Sequence, residues 1–345
     1  MKKNRYINKN YLCKYDLTSE FFNEMEIKIK DVIPLRKVFM LVTDDGNKIL
    51  KKIDYDIEKL NIINDSLKYI KKKYSNVITF NQFKDNKPYK IWNDDKYVIM
   101  DAIDGRECSY YNPVEIQSCA KNIALMHNAS LGLREYLEEK YKKNMIDISL
   151  IDKFETAYKE TAEIKKRVES YKYKNEFDET FIKYADKYLD EIKESGENIK
   201  NSSYEELRNN NNIVTLCHND LAYHNFLIND DKISIIDFDY MTIDIRVMDI
   251  ADFLLKLIKN AAFDVNKMIS GLQAYEKVNK ILPEEKQILK ILLKFPRDFY
   301  SIVTDYYYKN KDWDYEIFLS RLRNKVENEK FRYEFLDVFE EKILK

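Results

Sequence analysis

The hydrophobic period of the chain changes near residue 100, and this change constrains the fold more than any other feature. Up to that point, short runs rich in β-branched and aromatic residues alternate with turn residues. Beyond residue 112, apolar residues recur mostly every three or four positions, as on amphipathic helices. The sequence therefore predicts an α+β protein with a small N-terminal lobe, residues 1–103, and a larger, mainly helical C-terminal lobe, residues 104–345.

Turn residues and alternation predict an antiparallel sheet in the first lobe. Residues 44–47, Asp-Asp-Gly-Asn, form a strong hairpin turn. Strand-like runs occupy residues 27–32, 38–43, 48–51, 77–80 and 97–100. Between the third and fourth runs, apolar residues from 55 to 74 are spaced as on one face of a helix. We therefore expect a sheet of five strands and one helix.

The second lobe is predicted to be helical except for one strand and one hairpin. Helical spacing is found at residues 114–128, 151–171, 176–195, 251–260, 265–278 and 284–294, and from residue 306 onward. A β-rich run at residues 214–218 ends in a polar loop. Residues 226–228 and 233–236 then form a hairpin around the turn at residues 229–232. Polar side chains therefore gather at the two ends of one hairpin.

Composition limits the classes of partner. Lys and Arg number 59 and Asp and Glu number 60, so the net charge of −1 gives no global attraction to nucleic acid or to an anionic membrane. The N-terminal residues are followed by no apolar signal region, and no run of 18 apolar residues occurs. The four cysteines, Cys13 among them, have no metal-ligand spacing. We expect a cytosolic protein without a nucleic-acid or membrane partner.

Three residues around the hairpin form a set suited to phosphoryl transfer. Asp220 lies five residues before Asn225, and Asp237 directly follows the second strand, so the three side chains can converge. Phosphoryl transfer needs an acid that orients or deprotonates the attacking hydroxyl, together with oxygen ligands for Mg²⁺. The alternative is a chance grouping without function in a chain rich in Asp and Asn. The order of the three residues and their positions next to predicted strands argue against it.

The same region carries a resemblance to a known superfamily. Residues 217–225 and 236–240 resemble the H-x-D-x-x-x-x-N and I-D-F-[DE]-Y loops of choline kinase-like and aminoglycoside phosphotransferase-like proteins. The resemblance implies a two-lobed, protein kinase-like fold. It makes Asp220 the catalytic base and makes Asn225 and Asp237 the metal ligands.

Two further residues of the region receive structural roles from the resemblance. His218 would brace the loop that carries the catalytic base. Asp249 is similar to the acidic residue that opens the next helix in these proteins, and it would act as a brace rather than as a catalyst. His127, on a helix with Ile123 and Met126, is more readily explained as a packed or capping histidine than as a catalytic one.

Residues 42–51 resemble the hairpin that delivers the phosphate-binding lysine in this superfamily, which points to Lys51. Lys48 and Lys52 lie nearby, and solvated side chains are the alternative for all three lysines. Glu58, in the first turns of the following helix, could pair with Lys51 or could be an exposed surface residue.

The connector between the lobes supplies the remaining cofactor-binding residues, Asp101 and Ile103. The cofactors that the resemblance implies are Mg²⁺ and ATP or another nucleoside triphosphate. One departure from the pattern of the superfamily argues against nucleotide binding: no glycine precedes Gly46. The turn at residues 34–37 is therefore no glycine-rich loop, and Arg36 and Lys37 or backbone amides would have to replace it.

Within the superfamily, the chain looks most like CotS-type spore coat proteins. This resemblance rests on the two loops above and on residues 50–52, 104–108, 125–132, 295–297 and 306–308. It implies a coat protein made in the mother-cell cytoplasm, which transfers phosphate from Mg-ATP to a hydroxyl acceptor. Two alternatives stay open. One is a pseudokinase that only contacts other coat proteins, and the other is a small-molecule kinase like those for choline or aminoglycosides.

Overall fold

The computed structural model describes residues 17–35, 37–260 and 264–344. Cys13 and the turn residue Arg36 lie outside the described residues. The chain divides into two compact units, both discontinuous in sequence. The first comprises Met1–Cys108, Glu135–Lys142 and Tyr223–Asp239, and the second comprises Ser109–Arg134, Lys143–Ala222 and Tyr240–Lys345. The lobes expected at residues 1–103 and 104–345 were continuous segments, and that division stays a prediction.

The order of helices and strands confirms the predicted α+β class, with a small antiparallel sheet and a mostly helical remainder. The strands are β1 (Ile29–Pro34), β2 (Phe39–Thr43), β3 (Gly46–Ile53), β4 (Lys90–Trp92), β5 (Asp95–Asp101), β6 (Arg106–Glu107), β7 (Val214–Cys217), β8 (Phe226–Asn229), β9 (Lys232–Ile235) and β10 (Thr242–Ile245). The helices are α1 (Ser19–Glu24), α2 (Ile57–Lys71), α3 (Pro113–Ala129), α4 (Leu133–Tyr141), α5 (Leu150–Glu169), α6 (Glu176–Lys200), α7 (Tyr204–Arg208), α8 (Val247–Asn260), α9 (Val265–Glu276), α10 (Pro283–Lys294), α11 (Arg297–Tyr307), α12 (Tyr315–Glu327) and α13 (Glu329–Phe339).

A five-stranded antiparallel sheet in the order β1-β2-β3-β5-β4 forms the centre of the first unit. Its core face buries Phe39, Leu41, Leu50 and Ile99 against the aromatic rings of α1. Asp56 caps the N-terminus of α2, and its Oδ1 accepts a hydrogen bond from the Lys59 amide at 2.7 Å. The three-stranded meander and the following helix are therefore confirmed.

The fifth strand differs from the prediction. Residues 77–80 form no strand, and Val77 and Phe80 make isolated bridges to Ile235 and Met100. The edge strand is β4, which pairs with β5 through a two-residue turn at Asn93 and Asp94, both with positive φ. Such a turn matches the twist of a hairpin, and Asn and Asp tolerate it without glycine. A strand of three residues is too short to show alternation.

The predicted hairpin is present as β8 and β9, with Phe226 opposite Ile235 and Asn229 opposite Lys232. Strand β6 adds to its edge. Next to this edge, a Cβ atom on Gly105 would lie 2.9 Å from the carbonyl oxygen of Ile228. Glycine is therefore required where the connector passes the hairpin.

Helices make up most of the second unit, and an aromatic cluster forms one of its cores. Phe177, Phe181 and Tyr188 of α6 pack against Phe299 of α11. Helix α3 begins after Asn112, whose side chain accepts a hydrogen bond from the Val114 amide at 3.0 Å, with proline in its first turn. The predicted boundaries of the long helices hold to within a few residues because such local signals mark their ends.

A buried carboxylate lies on the strand pair β7-β10 of the second unit. Asp244 is 1% exposed and lies opposite Thr215. Its Oδ1 accepts a hydrogen bond from the Ile245 amide at 2.8 Å, and its Oδ2 has no hydrogen-bond partner among the described residues. Burial raises the pKa of Asp244 to about 6, since the charged form loses its hydration.

Asp244 makes the stability of the fold depend on pH. Its pKa is higher in the folded chain than in the unfolded chain, so its favourable contribution is complete below the unfolded pKa of 3.8 and is lost as pH rises through about 6. We measure the unfolding free energy of Asp244→Asn and of the wild type by urea denaturation at pH 4.5 and at pH 8. The difference, variant minus wild type, should be about 1–3 kcal/mol more positive at pH 8 than at pH 4.5. Asp231→Asn, at an exposed turn, is the control. An equal difference at both pH values would contradict this assignment.

Candidate functional site

In the first unit, Lys51 of β3 bridges two carboxylates. Its Nζ lies 2.6 Å from Asp237 Oδ1 and 2.7 Å from Asp239 Oδ2, and its side chain is 15% exposed. Burial lowers the pKa of Lys51, but the charges of Asp239 and Asp237 outweigh burial, and the net result is a pKa above the ordinary value. The ammonium group is therefore fully charged at neutral pH.

The neighbouring lysines of β3 have other partners. Lys48 pairs with Asp101 at 2.8 Å, and Lys52 pairs with Asp95 at 2.6 Å. Lys51 is thus the lysine of this strand that reaches the acidic pair after the hairpin. Its role as the phosphate-binding lysine stays a prediction.

Of the two alternatives left open for Glu58, the contacts of Lys51 favour the exposed surface residue. Lys51 binds Asp237 and Asp239, while Glu58 lies exposed in the first turn of α2. The apolar stripe of α2 faces the core through Leu60 and Leu67, and the helical repeat places Glu58 on the opposite side.

Asn225 and Asp237 flank the open end of the β8-β9 hairpin. Asn225 is buried and ends a short 3₁₀ turn before β8, and its carbonyl oxygen accepts a hydrogen bond from the Ile236 amide at 3.0 Å. Asp237 follows with φ +67°, and its side chain is 38% exposed. A left-handed non-glycine residue is often found where backbone strain serves a functional geometry. The hairpin register therefore holds the two proposed ligands at the same end of the β8-β9 hairpin.

The donor atoms fit a magnesium ion. In the described part of the chain, no three His, Cys, Asp or Glu side chains gather into a cation site. Mg²⁺ is commonly held by one or two carboxylates, with substrate phosphates and waters completing its octahedron. Asn225 and Asp237 present oxygen ligands of this kind.

Asp239 is a member of the site that the sequence did not single out. Besides Lys51, its carboxylate accepts a hydrogen bond from the Tyr55 hydroxyl at 3.1 Å. Burial and the nearby Asp239 charge raise the pKa of Tyr55, so the hydroxyl stays a donor. The second aspartate of Ile-Asp-Phe-Asp, residues 236–239, is the sequence feature that could have assigned Asp239 to the site.

The two connector residues lie at and beyond the end of β5. Asp101 accepts hydrogen bonds from Lys48 at 2.8 Å and from Asn81 at 3.1 Å, and these bonds hold the pKa of Asp101 below its usual range. Ile103 is half-buried in the irregular stretch that follows. Their contact with a nucleotide stays a prediction.

In the second unit, the loop after β7 carries Asp220, and Asp249 holds that loop by its backbone. The two oxygens of Asp249 accept hydrogen bonds from the amides of His218 and Asn219, each at 2.7 Å. Asn219 has φ +61°, and its side chain donates to the Tyr240 carbonyl at 3.0 Å. The loop is therefore fixed on both sides of its turn.

His218 and His127 complete this arrangement. His218 is fully buried, and its Nδ1 accepts a hydrogen bond from the Asp220 amide at 3.2 Å. His127 lies with Nε2 3.1 Å from Asp249 Oδ2 and with Nδ1 2.8 Å from the Tyr275 hydroxyl. His127 is thus packed inside the unit, where it supports the carboxylate that positions the loop.

Asp220 has an ion-pair partner that sequence reasoning missed. Lys256 of α8 places Nζ 2.5 Å from Asp220 Oδ1 and 2.8 Å from Asp252 Oδ2. Asp252 also accepts hydrogen bonds from the Leu221 amide and from Arg297, each at 2.8 Å. The helical spacing of Asp249, Asp252 and Lys256, at +3 and +7, was the signal that α8 turns one polar face toward the loop.

The proposed site residues fall into both units. Those in the first unit are Lys51, Glu58, Asp101, Ile103, Asn225 and Asp237. Those in the second are His218, Asp220 and Asp249. Each group is described within its own unit, and the convergence of Asp220 with Asn225 and Asp237 stays a prediction.

Comparison with solved structures shows a kinase-like phosphotransferase fold. The chain superposes on an aminoglycoside phosphotransferase from Alicyclobacillus acidocaldarius with a TM-score of 0.77 and 16% identity, covering 99% of this chain and 97% of that one. It also matches the amicoumacin kinase hAmiN, in complex with AMP-PNP, Ca²⁺ and Ami, with a TM-score of 0.62 and 15% identity, over 94% and 96% of the two chains.

The family follows from the sequence. The choline/ethanolamine kinase model matches residues 104–311, more than half of the chain, and the chain belongs to that family. It is 25% identical over 312 residues to spore coat protein S of Bacillus subtilis, a match that covers 88% of this chain and 86% of the relative. The predicted resemblance to that type of protein is confirmed. Among the helices of the described residues, none has the length and apolar character that a membrane crossing needs.

Proposed function

We propose that this protein transfers a phosphoryl group from Mg-ATP, or another nucleoside triphosphate, to the hydroxyl group of an acceptor. The observation that carries this proposal is the pairing of Lys51 with Asp237 at 2.6 Å. A lysine for the phosphates and a carboxylate for the metal are already side by side in the folded chain. Both are recurring parts of phosphoryl-transfer sites.

The proposed roles follow from chemistry and placement. Asp220 accepts the proton of the acceptor hydroxyl, whose oxygen forms a bond to the γ-phosphorus as the bond to the ADP oxygen breaks. Asn225 and Asp237 would hold Mg²⁺, which neutralises charge on the phosphates. Lys51 binds the same phosphates, and Asp101 and Ile103 contact the nucleotide.

His218 and Asp249 act as braces in this proposal. Asp249 accepts two backbone hydrogen bonds from the loop that precedes Asp220, at 2.7 Å each. His218 adds a hydrogen bond to the amide of Asp220 itself. A base that must meet a hydroxyl within hydrogen-bond reach needs a backbone held in this way.

The relative's name supports a biological setting. Spore coat protein S resembles this chain over most of its length. We infer that the protein is made in the mother-cell cytoplasm and associates with other coat proteins. The match to the choline/ethanolamine kinase model favours a small alcohol over a protein as acceptor.

A second candidate function is a pseudokinase that serves the coat by contact alone. The observation that favours it is the short connection between β1 and β2, across which the Leu35 amide donates to the Val38 carbonyl at 2.9 Å. No glycine lies in this connection, so its backbone cannot fold closely over phosphates as a glycine-rich loop does.

Thermal unfolding distinguishes these candidates. We expect Mg-ATP at a hundredfold excess over its Kd to add about 2.7 kcal/mol to the stability of the wild type. Asp237→Ala should remove the part of this gain that depends on Mg²⁺, leaving the gain seen in EDTA. Asp231→Ala, at the exposed turn of the same hairpin, is the matched control. No gain for the wild type, or an equal gain for Asp237→Ala, would leave the pseudokinase as the function.

A further inference from the structure

Arg297, the first residue of α11, has unused hydrogen-bonding capacity in the ion-pair cluster that includes the candidate base. One of its terminal nitrogens donates to Asp252 Oδ1 at 2.8 Å. The other N–H groups of the guanidinium have no hydrogen-bond partner in the described part of the second unit, and the side chain is 44% exposed. Such a planar fork is suited to binding carboxylate or phosphate groups with two parallel hydrogen bonds.

The charges around Arg297 are already balanced. Lys256 lies between Asp220 and Asp252, and Arg297 adds a second cation to Asp252. Asp298, the next residue, pairs with Lys325 at 2.7 Å. Three carboxylates therefore meet three cations, and no net negative charge remains in this set to attract an alcohol with an ammonium group. Burial lowers the pKa of Arg297, but Asp252, Asp298 and Asp220 more than offset it, so the guanidinium stays charged.

Arg297 also lines a small cavity. It has a volume of about 90 Å³, and Arg297 lines it together with Leu255, Phe295 and Phe299. At about 30 Å³ for each water in the liquid, it has room for roughly three waters or for a short carbon chain ending in a carboxylate. Asp298, Lys325 and Arg332 also line the cavity. Arg297 lines it and also binds Asp252.

We propose that Arg297, supported by Lys256, forms an anion-binding subsite beside Asp220, so that the acceptor is an alcohol that also carries a carboxylate or phosphate group. As a statement about the acceptor it rests on the proposed phosphotransferase function, but anion binding itself does not. A cationic alcohol such as choline is disfavoured, because its charge would lie near Lys256 and Arg297.

Calorimetric titration with four small probes tests the subsite. The probes are glycerate and glycerol 3-phosphate as anions, glycerol as the neutral analogue, and choline as the cation. We expect the wild type to bind one or both anions more tightly than glycerol and choline. Arg297→Gln should weaken anion binding by about tenfold or more, the usual effect of losing a charged hydrogen-bond partner.

Two further variants locate the effect. Arg297→Lys keeps the charge but loses the fork, so its affinity should lie between those of the wild type and Arg297→Gln. Lys330→Met, at an exposed position of α13, should leave anion binding unchanged, which separates the effect of Arg297 from the loss of any surface cation. The melting temperature of each variant shows whether it is folded at the temperature of the titration.

The outcomes separate this proposal from the proposed function. Binding of choline at least as tight as that of both anions, no anion binding by the wild type, or unchanged binding by a folded Arg297→Gln would each overturn the subsite. If Mg-ATP fails to stabilise the protein while glycerate still binds through Arg297, the phosphotransferase proposal fails and the subsite stands. If Mg-ATP stabilises the protein but no anion binds, the subsite fails and the phosphotransferase proposal stands.

Discussion

Replacement of Asp220 by asparagine is expected to lower kcat for phosphoryl transfer by about 10²–10⁴-fold, the usual contribution of a general base. Asparagine has nearly the same shape and still offers an oxygen to Lys256, but it cannot accept the hydroxyl proton. The backbone of the loop is held by Asp249 and not by the Asp220 side chain, so the fold should survive. Nucleotide affinity should also change little, because Lys51 and Asp237 are untouched.

The measurement is ADP release with a responsive acceptor, together with a titration of Mg-ATP for each variant. Asp231→Asn again serves as the control, because it makes the same chemical change at an exposed turn. A kcat for Asp220→Asn within about twofold of the wild type would remove Asp220 from the chemistry. A parallel loss of Mg-ATP affinity would show instead that the substitution disturbs the fold.

Arg246→Ala is expected to cost about 3–5 kcal/mol of unfolding free energy, the largest stability effect we predict. Its guanidinium meets both oxygens of Glu285, at 2.8 and 2.6 Å, and also donates to the Lys280 carbonyl at 2.6 Å. Glu285 is fully buried. Removal of the arginine would therefore leave a carboxylate without its counter-ion away from water.

Burial lowers the pKa of Arg246, and the bond to Glu285 restores it to a value above the ordinary one, so the guanidinium is charged in the folded state. Urea denaturation of four proteins measures the effect: wild type, Arg246→Ala, Glu285→Leu and the double variant Arg246→Met with Glu285→Leu. The double variant should be more stable than either single variant, because it removes both buried charges.

An exposed pair provides the matched control. Lys330 and Glu334 lie 3.5 Å apart at i,i+4 on α13, and both side chains are mostly exposed. Lys330→Ala should change stability by less than about 1 kcal/mol, as is usual for surface ion pairs. Equal losses for Lys330→Ala and Arg246→Ala would contradict the role given to burial.

Local signals carried the predictions that proved right. The turn at residues 44–47 fixed the meander, and the apolar stripe of α2 fixed its length. The loops containing Asp220, Asn225 and Asp237 could be recognised because their spacing is itself the motif. The short strand β4 was not predicted, because neither its length nor its turn residues distinguish it from an irregular loop.

Contacts between distant segments were beyond the reach of the sequence. Lys51 and Asp237 are 186 positions apart, and nothing local favours that carboxylate over the nearer Glu58. Lys256 reaches Asp220 from 36 positions further along the chain, and Arg297 reaches Asp252 from 45 positions further along. Such partners are set by the packing of whole helices, whereas a motif specifies only its own segment.

The bridge between Lys51 and the two carboxylates of Asp237 and Asp239 has a consequence for the order of assembly. In many metal sites, crowded acidic ligands repel one another until a cation arrives, so folding and metal binding are coupled. Here the chain supplies its own counter-ion, an ammonium group within 2.7 Å of both acids. The acidic end of the hairpin can therefore reach its final geometry before any cation binds, and folding and cofactor uptake become separate events.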